Sequence, residues 1–428
     1  MEAGRHKCEP YWDDDKPMAV SFFNVAVKET FHLAEYSIRK IQVTQTKSGK
    51  LTQKTFDHYH FTSWPDHGVP NVLDLLDFLW KTRDTPRPRP GPVLVHCSAG
   101  IGRTGTYIAL HILIDEMNAT GQLNILQTIT KMRHQRKNMI QTKEQYECVF
   151  ITLLEVVKYG QTSMPTNHYL QAYPTKGGNL TMGRKTIDQL AEDIVSMNSP
   201  HNADAQVKNR LWVNGQQDQF VVGAPSQLLK QGYLLAHTPY KTEHLLWKLI
   251  TETNSLTLIT LGAETGLEFI PHPSHICEYG RVTVATVNET RLTRGVTLKT
   301  LSVGKTSDSE KKEIANYSVD LWSDETDSSS VIEHLIILME QMENRQKKLK
   351  SHPVTIVFNV SDTKQAISLC IMNNIMSTIS VHKGVEIFNN VRRFQDVLPN
   401  VEFTEETFRL FCQLAFVYLE STGVYTNM

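Results

Sequence analysis

The chain has 428 residues, enough for two or three domains of ordinary size, and its 40% of hydrophobic residues can fill cores on that scale. Lys plus Arg (44) nearly cancel Asp plus Glu (45), so no overall field draws the protein to nucleic acid or to an anionic membrane, and any recognition of charge is local. The cysteines, at 8, 97, 148, 277, 370 and 412, lack CxxC or finger-like spacing, which argues against a disulfide framework and a zinc site and for a reducing compartment.

The N-terminus, MEAGRHKCEPYWDDD, has no apolar core of the kind a signal peptide needs, and no run reaches the roughly 18 apolar residues of a membrane span. The chain as given is therefore expected to be soluble, and the NxS/T sequons at Asn118, Asn179, Asn288, Asn316 and Asn359 are read as coincidental. From Val20 to Phe61 short apolar and polar runs alternate (VSFFNVAV, YSIRKIQVTQ, KTFDHYHF), the last two separated by SGK, which predicts antiparallel strands. Residues 71–82 have helical spacing. A proline-rich connector, TPRPRPGP, then leads to PVLVH, which reads as a short buried strand. Residues 104–117, 123–135 and 142–158 are each amphipathic near a period of 3.6, so strands followed by helices predict an α/β domain over 1–159.

Between 160 and 179 periodicity is lost and Pro, Gly and Thr gather, which predicts a linker. A second domain over 180–428 is expected to hold a helix near 186–198, strands near 256–260 and 282–287, a helix over 330–347, a strand VTIVFNV and closing helices to 421. The order repeats that of the first domain, as an internal duplication would.

The stretch VHCSAGIGRTG, Val95 to Gly105, carries the chemistry. A strand delivering a loop that opens a helix gathers unpaired backbone N–H groups and the positive end of a helix dipole around one point, which suits an anion. Gly100, Gly102 and Gly105 let the backbone curl and approach a ligand. Arg103 adds a fork of donors matched to two phosphate oxygens. In that field a cysteine's pKa falls from about 8.5 into roughly the 3.5–7.5 range, so Cys97 is expected to be a thiolate nucleophile, whereas Cys148, Cys370 and Cys412 are expected to be inert core residues. The leaving oxygen needs a proton, and Asp66 in TSWPDHGVP sits in a turn-rich loop able to supply it.

These residues resemble the protein tyrosine phosphatases, and the whole chain resembles the paired intracellular domains of a receptor-type member. The resemblance rests on KCEPYW at 7–12, SWPDHGVP at 63–70, PVLVHCSAGIGRTG at 92–105 and MIQTKEQY at 139–146. It implies two tandem copies of an α/β fold, a mixed twisted sheet flanked by helices, the first copy incomplete. It also implies that Cys97 becomes a phosphocysteine, and that Asp66 protonates the tyrosine leaving group and later activates water. Arg103 and the amides of Ser98, Ala99, Gly100, Ile101 and Gly102 would bind the phosphoryl group. Thr104 would hydrogen-bond the thiolate, and Gln141 and Gln145 would orient the water, with Gln141 also at the phosphate. His96 and Trp64 would support the loops, and Lys7 and Glu2 would belong to a charged loop nearby. No cofactor or metal is implied. The partners would be phosphotyrosine-containing proteins, and the location cytoplasmic, as the intracellular part of a membrane receptor.

Two departures from the family pattern matter. Members carry sheet strands and a KNRY loop ahead of KCxxYW, and the chain given opens on that motif; its first domain is expected to lack part of its sheet and its selectivity wall, and to be poorly active or poorly folded with its phosphate loop intact. In the second domain KNRLW at 208–212 has Leu211 for the tyrosine, LWSDE at 321–325 stands at the acid loop, Asn359 and Gln365 replace cysteine and arginine, and FTEETF at 403–408 has neither glutamine. That domain is expected to be a pseudophosphatase that binds partners or steadies the first. A dinucleotide reading of GIGRTG fails because 123–135 is helical and basic where a second parallel strand is required. The reading from another class is a non-enzymatic phosphotyrosine-binding scaffold.

Overall fold

The computed structural model describes residues 8–47, 50–85, 91–198, 210–212, 220–237, 243–262, 269–273, 275–306, 310–321, 328–349 and 352–423. The chain divides into two compact units, Met1–Gln161 and Thr162–Met428.

The first unit opens with an antiparallel sheet in sequence order, β1 (Met18–Val20), β2 (Phe23–His32), β3 (Tyr36–Lys47) and β4 (Lys50–Phe61). The alternating runs predict these strands, and β3 and β4 pair without a slip from Tyr36↔Phe61 to Lys47↔Lys50. Four helices follow: α1 (Val72–Asp84), α2 (Gly102–Thr120), α3 (Ile125–Gln135) and α4 (Lys143–Tyr159). Asn71 accepts from the amide of Leu73 to start α1, and Thr142 with Gln145 forms a capping box at α4. The core lies among these helices, where Leu75, Leu79, Leu110, Leu113, Val149 and Leu153 recur at helical spacing on the inward faces.

One expectation fails in this unit. PVLVH is not a strand: 91–97 is irregular, Val93 is 56% and Leu94 89% exposed. A continuous apolar run makes a buried strand only when strands lie on both sides of it. Among the described residues of this unit the sole sheet is β1 to β4, and none of its strands pairs with 92–96.

The second unit begins inside the stretch expected as a linker, and that stretch is folded. It contains β5 (Met164–Pro165) and α5 (Thr166–Lys176), whose Tyr169 is buried and donates its hydroxyl to the Cys412 carbonyl at 2.9 Å. The Pro, Gly and Thr that break periodicity here cap and end short elements. Next come β6 (Thr181–Met182), β7 (Lys185–Thr186) and α6 (Ile187–Met197), then β8 (Arg210–Trp212), β9 (Phe220–Ala224), β10 (Tyr233–His237), α7 (Glu243–Glu252) and β11 (Thr257–Leu261). A meander, β12 (Ile276–Tyr279), β13 (Val282–Thr293), β14 (Val296–Lys305) and β15 (Lys312–Val319), precedes α8 (Ser328–Leu349), β16 (Val354–Phe358) and α9 (Thr363–His382). The unit closes with β17 (Gly384–Val385), α10 (Phe388–Val397) and α11 (Glu405–Thr422).

Nine of these strands form one mixed sheet, ordered β12-β13-β14-β15-β11-β16-β10-β9-β8. VTIVF of β16 lies parallel between β10 and β11 with all five residues buried, as an apolar run flanked on both sides should. The meander β12 to β15 repeats β1 to β4 in order and pairing.

Candidate active site

Cys97 stands on the loop between the irregular 91–96 segment and α2. Gly100 turns that loop with φ +69°, a left-handed value an L side chain resists, and its amide donates to Cys97 Sγ at 3.2 Å. Ile101, at the N-cap of α2, offers no side-chain cap, so the first turn of the helix keeps its amides for the loop. Burial pushes the Cys97 thiol up, but the Thr104 hydroxyl and the amides of Thr104, Gly100 and Ile101 outweigh it and hold the thiol below its ordinary range. The Thr104 hydroxyl is buried, and its pull on the sulfur is the largest of those that lower the thiol.

The glycines of α2 admit a second loop. A Cβ on Gly105 would stand 2.5 Å from the Ile140 backbone nitrogen, and one on Gly102 would stand 3.0 and 3.1 Å from the Gln145 side-chain amide and 3.4 Å from Gln141 Oε1. The Ile101 carbonyl accepts from Gly105 N and from Ile140 N, at 3.1 and 3.0 Å, which pins that loop to the helix start. Ile140 itself has φ +60°, a strained value for a β-branched residue. It is held there because Arg133 donates to the carbonyls of Met139 and Ile140, at 2.9 and 3.0 Å. Gln145 Oε1 accepts from the amide of Gln141 at 2.9 Å, so the two glutamines are fixed to each other.

Arg103 reaches the loop of Asp66. Its Nη2 donates to the Pro65 carbonyl at 3.1 Å, and its guanidinium lies 5.9 Å from the centre of the Trp64 ring. Trp64 Nε1 in turn donates to the Gly68 carbonyl at 3.2 Å, closing the turn that carries Asp66, which is exposed. Ser98 and Ala99 are exposed on the loop, with the Ala99 carbonyl accepting from Arg136 Nη2 at 3.2 Å. Behind the loop, Tyr11 Oη lies 2.6 Å from His96 Nε2, and the Cys8 thiol donates to the Cys97 carbonyl at 3.8 Å.

Cys97, Thr104, Gln141 and Gln145 thus gather around the start of α2, and Arg103 in its first turn ties it to Trp64 and the turn of Asp66. Glu2 and Lys7 lie outside the described residues. Sequence reasoning gave no role to Arg133, Arg136, Ile140 or the Pro65 carbonyl. Their parts are played by backbone contacts, which leave no residue-type signature.

In the second unit, Asn359 and Val360–Asp362 occupy the place of Cys97 to Gly100, and Val360–Asp362 forms a 3-10 turn leading straight into α9. Residues 208–209 and 322–325 lie outside the described residues. The Cys370 and Cys412 thiols are pushed up by burial, Cys412 to about 12, and Cys148 of the first unit is also raised by burial.

A sequence profile of the family described as Protein-tyrosine phosphatase matches residues 1–155 and 206–416. The chain belongs to the protein-tyrosine phosphatase family. Both units carry the family's signal, so the repeat of β1 to β4 in β12 to β15 is a repeat of phosphatase domains. Among its relatives, receptor-type tyrosine-protein phosphatase zeta of Rattus norvegicus is 39% identical over 175 residues, covering 39% of this chain and 8% of the relative. Receptor-type tyrosine-protein phosphatase U of Gallus gallus is 26% identical over 98% of this chain and 32% of the relative. Receptor-type tyrosine-protein phosphatase alpha of Homo sapiens is 24% identical over 98% of this chain and 56% of the relative. The chain spans about a third of the length of the first relatives it matches (33%, 32% and 29%). Among the described residues, no helix of this phosphatase-family chain is long and apolar enough to cross a membrane.

Proposed function

We propose that the first unit hydrolyses phosphotyrosine on proteins through a phosphocysteine, and that the second unit is catalytically inactive and serves regulation or partner binding. The observation that carries this is the Cys97 sulfur, 3.2 Å from the Gly100 amide and held below its ordinary range by the Thr104 hydroxyl and the amides of Thr104, Gly100 and Ile101, on a loop that also presents Arg103. The thiolate attacks phosphorus while Arg103 and the loop amides take up the charge gathering on the phosphoryl oxygens. As the P–O bond to the ring breaks, Asp66 gives its proton to the leaving phenolate. Water placed by Gln141 and Gln145 then attacks the phosphocysteine. Its proton passes to Asp66, the S–P bond breaks, and phosphate leaves with the thiolate restored.

The second unit lacks the nucleophile, the arginine and the water-orienting pair: Asn359 and Gln365 replace the thiol and guanidinium, and Phe403 and Thr407 stand where Gln141 and Gln145 do. Substrates would be phosphotyrosine-containing proteins inside the cell, with the chain acting as the intracellular part of a receptor. A scaffold that binds phosphotyrosine without cleaving it is the alternative, favoured by the exposed, unpaired 92–96 segment under the nucleophile.

Phosphate release from a phosphotyrosine peptide by the full chain separates the two. The proposal expects turnover that Cys97→Ser abolishes and Asp66→Ala lowers about 100-fold or more. Tight peptide binding with no phosphate released, before or after substitution, would establish the scaffold instead.

A further inference from the structure

Three side chains stand in file behind the nucleophile loop, and their protons can be placed. His96 Nδ1 lies 3.1 Å from the Cys97 carbonyl oxygen. A carbonyl only accepts, so Nδ1 carries the proton and Nε2 of the neutral ring is an acceptor. Tyr11 Oη, 2.6 Å from that Nε2, must therefore donate to it. With its one proton committed, the phenol oxygen can only accept from its other neighbour, His58 Nε2 at 3.3 Å. His58 thus bears its proton on Nε2, and its other ring nitrogen, buried without a partner, bears none.

The surroundings keep His58 neutral, as this arrangement requires. Burial, then His60 beside it on β4, Arg39 on β3 and His96 push its pKa down to about 4, with Asp14 opposing. Arg39 is itself clamped to Asp14 by bonds of 2.6 and 3.0 Å and lies over Trp12, whose ring packs on His58 at 4.7 Å.

The second unit provides an internal control. Counting from the strand ends paired as Tyr36↔Phe61 and Val296↔Val319, His58 opposite Arg39 corresponds to Asn316 opposite Lys299. Phe358 stands at the position of His96. Without the imidazole, Asn316 is fully buried with neither end of its amide bonded. The file is intact only in the unit that has the cysteine.

We propose that His58 is a positioning residue for Cys97, the outer end of a one-way hydrogen-bond relay through Tyr11 and His96 that polarises the Cys97–Ser98 peptide from its carbonyl side. A donor on that carbonyl strengthens the Ser98 N–H as a donor to an oxyanion, and each bond in the series strengthens the next. The inference rests on reading residues 97–103 as an oxyanion-binding nucleophile loop.

The test is the pH dependence of Cys97 alkylation by iodoacetamide, resolved by peptide mass in a Cys8→Ser background of the full chain, together with protection by vanadate. His58→Leu is expected to raise the Cys97 titration by roughly half a pH unit and to weaken vanadate protection about threefold to tenfold. His58→Gln, whose Nε2 can still donate, is expected to restore both. Should His58→Leu fail to fold by near-ultraviolet circular dichroism, Tyr11→Phe, which keeps the ring and removes the proton, is expected to give the same two changes. A folded His58→Leu or Tyr11→Phe with wild-type titration and protection overturns the relay, as does a folded His58→Gln that behaves like His58→Leu. A wild-type chain with the lowered thiol but no turnover defeats the phosphatase reading alone.

Discussion

At the mouth of α2 the backbone is held open, and at the mouth of α9 it is closed. Gly100 takes φ +69° and leaves the Cys97 sulfur facing amides, whereas its counterpart Asp362 takes φ −98° and the three residues before α9 wind into a 3-10 turn. The strands beneath show the reverse order of completeness. β16 is clasped by β10 and β11, while 92–96 runs unpaired with Leu94 in solvent. One unit keeps the frame without the cysteine and arginine, and the other keeps those two residues on a thinner frame. The comparison teaches that the cradle is a backbone conformation first and a set of side chains second.

The largest effect that would test this is at Gly105, where the second unit carries the buried Ile367. Gly105→Ala drives a Cβ into the Ile140 nitrogen and is expected to destabilise the first unit by about 2–3 kcal/mol, with phosphatase activity falling at least about tenfold. Urea unfolding followed by a probe in the first unit measures it, and an unchanged midpoint would mean that loop 138–141 is not docked on α2.

An intermediate effect follows from the buried imidazoles. Unfolded histidine takes up its proton near 6.5, but His58 in the fold refuses it until about 4 and His60 is also lowered by burial and Arg39. Between those values the unfolded state binds more protons, so stability of the first unit is full above about 6.5 and declines as pH falls toward 4. The second unit has Asn316 and Ser318 at these positions and should not share the decline. Thermal unfolding at stepped pH, read separately for each unit, would break the comparison if both fell together.

The smallest effect is at Thr104, where the second unit has Ala366. Thr104→Ala is expected to raise the Cys97 thiol by about half a unit to one unit while leaving unfolding unchanged within about 1 kcal/mol, as alkylation against pH would show.

Much of this was legible from residue order. The helices announce themselves by spacing and by caps such as Asn71 and Thr142, and β2 to β4 by alternation. Cys97, Arg103 and the three glycines are legible because an anion-binding loop needs those residue types in that order. What was not legible depends on neighbours distant in the chain. PVLVH and VTIVF are equivalent as local patterns, and only the flanking strands decide that one is buried and the other exposed. The left-handed Ile140, its tether to Arg133 and the carbonyl of Pro65 are likewise invisible, because any residue supplies a carbonyl and nothing in isoleucine's chemistry invites φ +60°. Residues 160–179 misled for a related reason: short elements capped by Pro and Gly resemble a connector until Tyr169 is seen locked in a core.

The bond from Arg103 to the Pro65 carbonyl carries one last consequence. The guanidinium is already engaged before any anion arrives, and its partner sits one residue from Asp66. Under the proposed function, an anion that draws the Arg103 guanidinium toward the loop amides would also pull on the Pro65 carbonyl, so binding at the loop and the position of the neighbouring Asp66 would be linked.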